Sequence, residues 1–392
     1  MQTTVAVVFG GKSVEHEVSI ISAIQAIENM DRSLYNIIPV YMTKDNEFYI
    51  GDDVGKIENY RDIPKLLEKS QHVVFAGEKG GVFLMEYPPK LFHKQIMPID
   101  VVFPVVHGTN VEDGTLQGYF KTLGVPFVGC DVEASAVGMD KFVQKLILHE
   151  NNIPVLEGEL FNLGDYGDIE EMYRVVESNI GYPVIVKPVN LGSSVGIGIA
   201  KDRAELGRRI DDAFLYAKRI LIEHAITNLR EINCAVLGDE LEAIPSECEE
   251  PLHTGEILDY ADKYGNRSKT GSSEGMASVS RILPAKLEPE QRDKIRNLAV
   301  RAFGALGCNG VARMDFMIDE DNGNIYFNEI NTIPGSLAFY LWEPVGIPYS
   351  ELINRLIDLA MRRKRSEDRL TFSFETNILD TQSLFGSKGS KQ

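Results

Sequence analysis

The chain has 392 residues, 44% hydrophobic and 25% charged, with a formal net charge of −18. That composition suits a globular protein of two or three domains, with a core large enough to need no disulfide staples. The acidic balance argues against duplex nucleic acid or an anionic membrane surface as the main partner, since both bind basic faces. The cysteines Cys130, Cys234, Cys248 and Cys308 have no C-x-x-C spacing and read as buried thiols of a reducing compartment. No apolar run approaches the ~18 residues of a spanning helix. No basic leader precedes the first strand, so the expected location is cytoplasmic.

Residues 4–9, TVAVVF, form a continuous apolar run ending in Gly10-Gly11, which predicts a buried parallel strand. SIISAIQAIENM follows with helical spacing, YNIIPVYM with the character of a strand, and DVVFPVVHG, residues 100–108, with that of another buried strand. EDGTLQGYFKTLG predicts a helix capped at Gly124, and VPFVG a short strand after it. This β-α-β-α-β order predicts a three-layer α/β domain. Helices are expected from 134 to about 150, then a strand over 182–189 that leads through NLGSSVG into a hairpin partner, GIGIAK. Residues 219–226 read as a buried strand, and EINCAVLGDELEAIPSE as a hairpin about Gly238. The long polar segment 255–280 reads as a functional lid. An amphipathic helix, EQRDKIRNLAVRAFGALG, precedes a second hairpin, and SELINRLIDLAMRRKR is a helix with a basic end suited to its dipole.

That second hairpin, MDFMIDEDNGNIYFNEIN, carries the densest chemistry. With its turn centred on Asn322, Met317 faces Phe327, Asp315 faces Glu329 and Arg313 faces Asn331, all on one side. Two carboxylates directly opposite destabilise a strand pair. They make sense as ligands of a hard cation such as Mg²⁺, with Asn331 adding an oxygen, or as a solvated acidic face. Lys187 precedes the Gly/Ser loop, whose hydroxyls and backbone N–H groups could wrap phosphates or form an ordinary hairpin loop. It is neither a Walker A loop nor a dinucleotide fingerprint. Lys141, in GMDKF, is unremarkable by itself. At the N-terminal turn Glu15 either complements a helix dipole or meets a substrate ammonium. His107, at a strand end, is either structural or the counterpart for a substrate carboxylate.

Six stretches occur together and in order: VAVVFGGKSVEHEVSI, HGTNVEDGTLQGYFKTLGVPFVG, MDK, VIVKPVNLGSSVG, LDYADKY and GVARMDFMIDEDNGNIYFNEINTIPG. They resemble the D-alanine–D-alanine ligase family of the ATP-grasp superfamily over roughly residues 4–363. The resemblance implies an α/β (α+β) ATP-grasp fold of three domains. These are an N-terminal three-layer domain over 1–130, a central domain with the Gly/Ser loop over 131–218, and a C-terminal domain with lid and metal site over 219–365. Residues 366–392 would be a peripheral or disordered tail. ATP would bind between the last two domains.

The implied activity is ATP-dependent joining of two D-alanines through an acyl phosphate, giving dipeptide, ADP and phosphate for peptidoglycan precursors. By the resemblance, Lys141, Lys187 and Ser194 meet ATP phosphates, Glu223 and Ile226 lie at the adenine hinge, Glu231 takes the ribose, and Lys263 approaches ATP. Asp315, Glu329 and Asn331 would hold two Mg²⁺ ions, with Mn²⁺ an alternative. Glu15 would bind the first amino group and His107 its carboxylate, while Ser193 and Tyr264 link with Glu15 to close the loop. Arg313 and the Gly335 backbone would stabilise the oxyanion. The implied partners are D-amino acids and ATP, and the implied assembly is a homodimer. The chain departs from the pattern after NEINTIPG, where the family carries a serine or other donor to the second amino acid and SLAFYLWEP is short, aromatic and apolar, with Ser336 the only hydroxyl before Tyr340. That departure keeps D-alanine–D-serine or another dipeptide open as the product. A catalytically silent ATP-binding paralogue is the reading from another class. Asn110-Val111 replaces a glycine-rich stretch, the hinge before Glu231 is one residue longer, and the tail has no counterpart.

Overall fold

A computed structural model describes residues 2–78, 80–89, 96–192, 195–252 and 281–373. Ser193 and Ser194, the expected lid with Lys263 and Tyr264, and most of the expected tail lie outside the described residues.

The first sheet has seven strands: β1 (Thr3–Gly10), β2 (Tyr35–Met42), β3 (Phe48–Ile50), β4 (Gln71–Glu78), β5 (Gly81–Glu86), β6 (Ile96–Ile99) and β7 (Val101–Val105). Their order is β6-β5-β4-β3-β2-β1-β7. β1 runs parallel to both neighbours and its residues Val5 to Phe9 are fully buried, as an unbroken apolar run requires. α1 (His16–Asn29), α2 (Ile63–Glu68) and α3 (Thr115–Leu123) belong to the same domain, and α3 ends on Gly124 at φ +79°. The expected strand at VPFVG is only a single bridge, Val102 to Phe127. The antiparallel strands β3 to β6, which the β-α-β-α-β reading did not include, extend the sheet.

The second sheet is β10-β9-β11-β8, from β8 (Gly158–Asn162), β9 (Val184–Pro188), β10 (Gly198–Ala200) and β11 (Arg219–His224). β11 pairs with both β8 and β9, so a boundary at 218/219 would cut this sheet. The last strand completes a core shared with α6 (Ile169–Asn179) and α7 (Arg203–Phe214).

The third sheet is β14-β13-β12-β15-β16: β12 (Leu229–Gly238), β13 (Ala243–Pro251), β14 (Arg281–Ile282), β15 (Gly310–Asp319) and β16 (Asn324–Asn331). α4 (Val132–Met139), α5 (Lys141–Glu150) and α8 (Pro289–Ala305) share its core through Ala134, Leu148 and Phe303. By packing, α4 and α5 therefore go with this sheet rather than with the central unit. α9 (Tyr349–Glu367) joins the core of the first sheet, as do Leu337, Leu341 and Trp342.

Two local features shape the site. In the β15–β16 hairpin Arg313 faces Asn331 and Asp315 faces Glu329 as expected, but Met317 faces Tyr326, not Phe327. The register shifts between Asp315 and Phe316, leaving Asn328 as an extra residue in β16. The bulge pairs Phe327 with Phe316 in the core, their rings edge to face at 5.8 Å, while Asn328 and Glu329 both line a cavity. The second feature follows Gly335, where Ser336, Leu337 and Ala338 have φ of +50°, +56° and +50°. Three successive left-handed residues with side chains are costly, about 1–2 kcal/mol each. Burial of Leu337, Ala338, Leu341 and Trp342 against the first domain offsets that cost.

Candidate active site

Two adjoining cavities share a charged wall made by Lys141, Asn233, Arg313 and Glu329. Glu15, His107, Asn331 and Gly335 line the first cavity only, and Lys187, Ile226, Glu231 and Asp315 the second only. The residues expected from the sequence to meet the amino acids thus fall on the first cavity, and those expected to meet ATP on the second or on the shared wall. Among the described residues the exception is Glu223, which lines neither cavity.

The facing acids are balanced by cations of the protein itself. Arg313 forks onto Asp315 through Nε at 2.7 Å and Nη2 at 2.8 Å, and Asn331 donates to the same carboxylate at 3.1 Å. Lys141 pairs with Glu329 at 3.0 Å and donates to the Leu191 carbonyl at 2.7 Å. The repulsion that suggested a metal is therefore answered even without one. Burial pulls the Arg313 pKa down, but Asp315 more than offsets it, and the guanidinium titrates well above its ordinary range.

Glu223 is fully buried between Lys145 and Lys187, the latter at 2.8 Å. Its carboxylate thus serves a Lys–Glu–Lys triad rather than the rim of the second cavity. Burial would raise its pKa, yet the two lysines outweigh burial and hold it below the ordinary value. Burial pushes Lys145 down to about 8, against the pull of Glu223. Lys187 also donates to Asn328, the bulge residue, at 3.0 Å, so the triad ties β9 to β16.

In the first cavity, Glu15 is buried at the start of α1. Gly108 has φ +85°, and a Cβ there would come within 2.9 Å of the Glu15 carboxylate, so that loop needs glycine; at Gly192 the same contact would be a tight 3.3 Å. His107 has both ring nitrogens occupied: Nδ1 at 2.9 Å from the Ile333 carbonyl and Nε2 at 3.1 Å from Ser22 Oγ. Nδ1–H donates to the carbonyl, so Nε2 accepts the Ser22 hydroxyl. Ser22 Oγ in turn accepts the Ser336 N–H at 2.9 Å. Burial lowers the His107 pKa and keeps the ring neutral. In this geometry His107 anchors the backbone around Gly335 instead of presenting a charge to a carboxylate. Ser336 Oγ donates to Gln25 at 2.7 Å and is likewise committed.

Sequence reasoning missed three residues. Glu112 accepts the N–H groups of Gly108 and Ile333, both at 2.9 Å, and so joins the two loops that frame the first cavity. Burial, reinforced by Glu15, pushes its pKa up to about 7. Only its place in HGTNVEDG could have flagged it. Lys145 lies four residues after Lys141 on α5, a helical spacing that puts both on one face. Arg281 gave no local signal.

The family model described as D-ala D-ala ligase N-terminus matches residues 4–130, and that described as D-ala D-ala ligase C-terminus matches residues 147–358. The chain is 42% identical to a D-alanine--D-alanine ligase of Caldicellulosiruptor bescii over 95% of this chain and 98% of that one. It is 38% identical to the enzyme of that name from Thermosipho melanesiensis, over 96% and 98% of the two chains. Among solved structures it is similar to the VanG D-Ala:D-Ser ligase of Enterococcus faecalis, with TM-score 0.77 and 32% identity over 92% of this chain and all of that one. The D-alanine-D-alanine ligase of Coxiella burnetii gives TM-score 0.76 and 28% identity, over 94% and 96%.

Proposed function

This chain belongs to the D-alanine–D-alanine ligase family, and we propose that it joins two D-alanines at the expense of ATP, using the two cavities as amino-acid and nucleotide sites. The observation that carries this reading is the shared wall, where Lys141, Arg313 and Glu329 face both cavities. Phosphoryl transfer between a nucleotide and a carboxylate needs one charged boundary touching both reactants.

Lys141 and Lys187 are suited to ATP phosphates, with Ile226 and Glu231 lining the same cavity for the base and ribose. Ser193, Ser194, Lys263 and Tyr264 keep the loop and lid roles implied by the resemblance. Glu15 is suited to the first ammonium, and Arg313 with the Gly335 N–H to the oxyanion formed when the second amine attacks. Asp315, Glu329 and Asn331 offer two carboxylates and an amide, oxygen donors that fit Mg²⁺ and leave positions for phosphate oxygens and water. We assign them two Mg²⁺ ions, with Mn²⁺ as the substitute. When bound, Mg²⁺ neutralises phosphate charge that would repel the incoming carboxylate. The reaction site is cytoplasmic in this reading, and the assembly is a homodimer.

The test is phosphate release with ATP, Mg²⁺ and a panel of D- and L-amino acids, with products identified by mass. Release that depends on D-alanine, with D-alanyl-D-alanine formed, is the expected result. No amino-acid-dependent phosphate from any pair would falsify the reading. The likeness to a D-Ala:D-Ser ligase makes D-serine the acceptor to set beside D-alanine.

A further inference from the structure

We infer that Arg281, held by Glu249 and Tyr340, receives the carboxylate of the second amino acid. This inference rests on the ligase reading above and names the group that reads its acceptor.

The argument starts from the cations of the first cavity. Among the described residues these are Lys141, Arg281 and Arg313, since burial keeps His107 neutral. Lys141 and Arg313 also line the nucleotide cavity and pair with Glu329 and Asp315. Arg281 lines the amino-acid cavity alone. An acceptor must enter beside Glu15, Glu112 and Glu249, all of which line this cavity. Its carboxylate needs a positive partner there, and among the described residues Arg281 is the cation not shared with the nucleotide side.

Arg281 is also held in place. Its Nη1 meets Glu249 Oε2 at 2.9 Å, and its guanidinium lies over the Tyr340 ring, 3.7 Å from the centroid. Tyr340 donates its hydroxyl to Glu249 Oε1 at 3.1 Å, and Asn233 donates to the same oxygen at 3.1 Å. Glu249 thus pins both the arginine and the ring it stacks on. A guanidinium has five N–H donors in a fixed fork, so it can serve more than one carboxylate. Tyr340 comes from the segment after Gly335, whose left-handed turn at Ser336–Ala338 carries the chain to the cavity wall. The short, apolar stretch after Gly335 therefore supplies the platform for a donor from β14.

The test is a competition in one tube between D-alanine and D-alaninamide as acceptors, with D-alanine, ATP and Mg²⁺ present. The amide has no carboxylate to activate, so it can occupy only the second position. The ratio of D-alanyl-D-alanine to its amide, read by mass spectrometry, does not depend on how much enzyme is folded. The wild-type chain is expected to favour the free acid strongly. Arg281→Gln should lower the ratio by roughly 10-fold or more, the scale of a lost hydrogen bond to a charged group. Arg281→Lys, which keeps the charge, should retain most of the preference. An unchanged ratio in Arg281→Gln overturns the inference, and so does a wild-type ratio near one, with no variant needed. If the wild-type chain makes neither product, the ligase reading itself fails, and this inference with it.

Discussion

Asp315 and Glu329 stand directly opposite each other on adjacent strands, and each carboxylate is met by a different cation, Arg313 and Lys141 respectively. Charge balance at the pair is thus local and complete before any ligand enters. Asp315→Asn and Glu329→Gln keep the shape but remove a metal-binding charge and the partner of Arg313 or Lys141, so they should cut turnover by roughly 10²-fold or more and lower the melting temperature while the chain still folds. Steady-state phosphate release and a thermal melt check this together. Turnover equal to wild type in either variant would remove the Mg²⁺ assignment.

Arg313→Lys keeps the charge but loses the two-pronged bond to Asp315. The expected result is a fall in kcat of roughly 10²–10³-fold, the cost of an oxyanion donor, with a smaller change in KM for ATP. A loss confined to KM would reassign the residue to ground-state binding.

Glu223 compensates two buried lysines, Lys145 and Lys187. Removing its charge with Glu223→Ala leaves both without their carboxylate, which should cost about 3–5 kcal/mol. Urea unfolding gives the number. A loss below about 1 kcal/mol would show that water reaches the triad.

Glu112 makes stability depend on pH. Its folded pKa, up at about 7, lies above the ordinary value of 4.5. Between those values the folded chain keeps a proton that the unfolded chain releases, so stability falls as pH rises through that window. The contribution is on the order of 3 kcal/mol. Glu112→Gln carries no titrating proton, so its stability relative to wild type should rise from pH 5 to pH 8. Parallel curves for the two proteins would show that Glu112 is ionised throughout.

Ala338 sits at φ +50° in a buried left-handed turn. Ala338→Gly relieves about 1 kcal/mol of backbone strain and loses about 0.8 kcal/mol of methyl burial. It should leave stability within about 0.5 kcal/mol of wild type, where the same change inside a helix costs about 1 kcal/mol. Ala338→Val adds branching at a strained φ and should destabilise clearly. Denaturant midpoints for the two variants decide the matter.

What the sequence determined by itself was local. Apolar runs and helical spacing marked β1, α1, β7 and α3, and strand parity placed Asp315 opposite Glu329 and Arg313 opposite Asn331. Six ordered motifs were enough to point to the family and to several of the charged residues that line the two cavities, Glu15, Lys141, Lys187, Arg313, Asp315 and Glu329 among them. Tertiary structure decided the rest. The bulge at Asn328 follows from seating Phe327 against Phe316, a packing demand that alternation cannot express. The partners of Glu223 and Glu329 lie far away along the chain, and so does the Glu249 that pins Tyr340. His107, which looked like a carboxylate receptor, has both nitrogens bound inside the protein. Arg281 carries no motif at all and matters because β14 brings it to the ring of Tyr340. Periodicity and turn chemistry act over a few residues, whereas a buried charge takes whatever partner the packed core sets beside it.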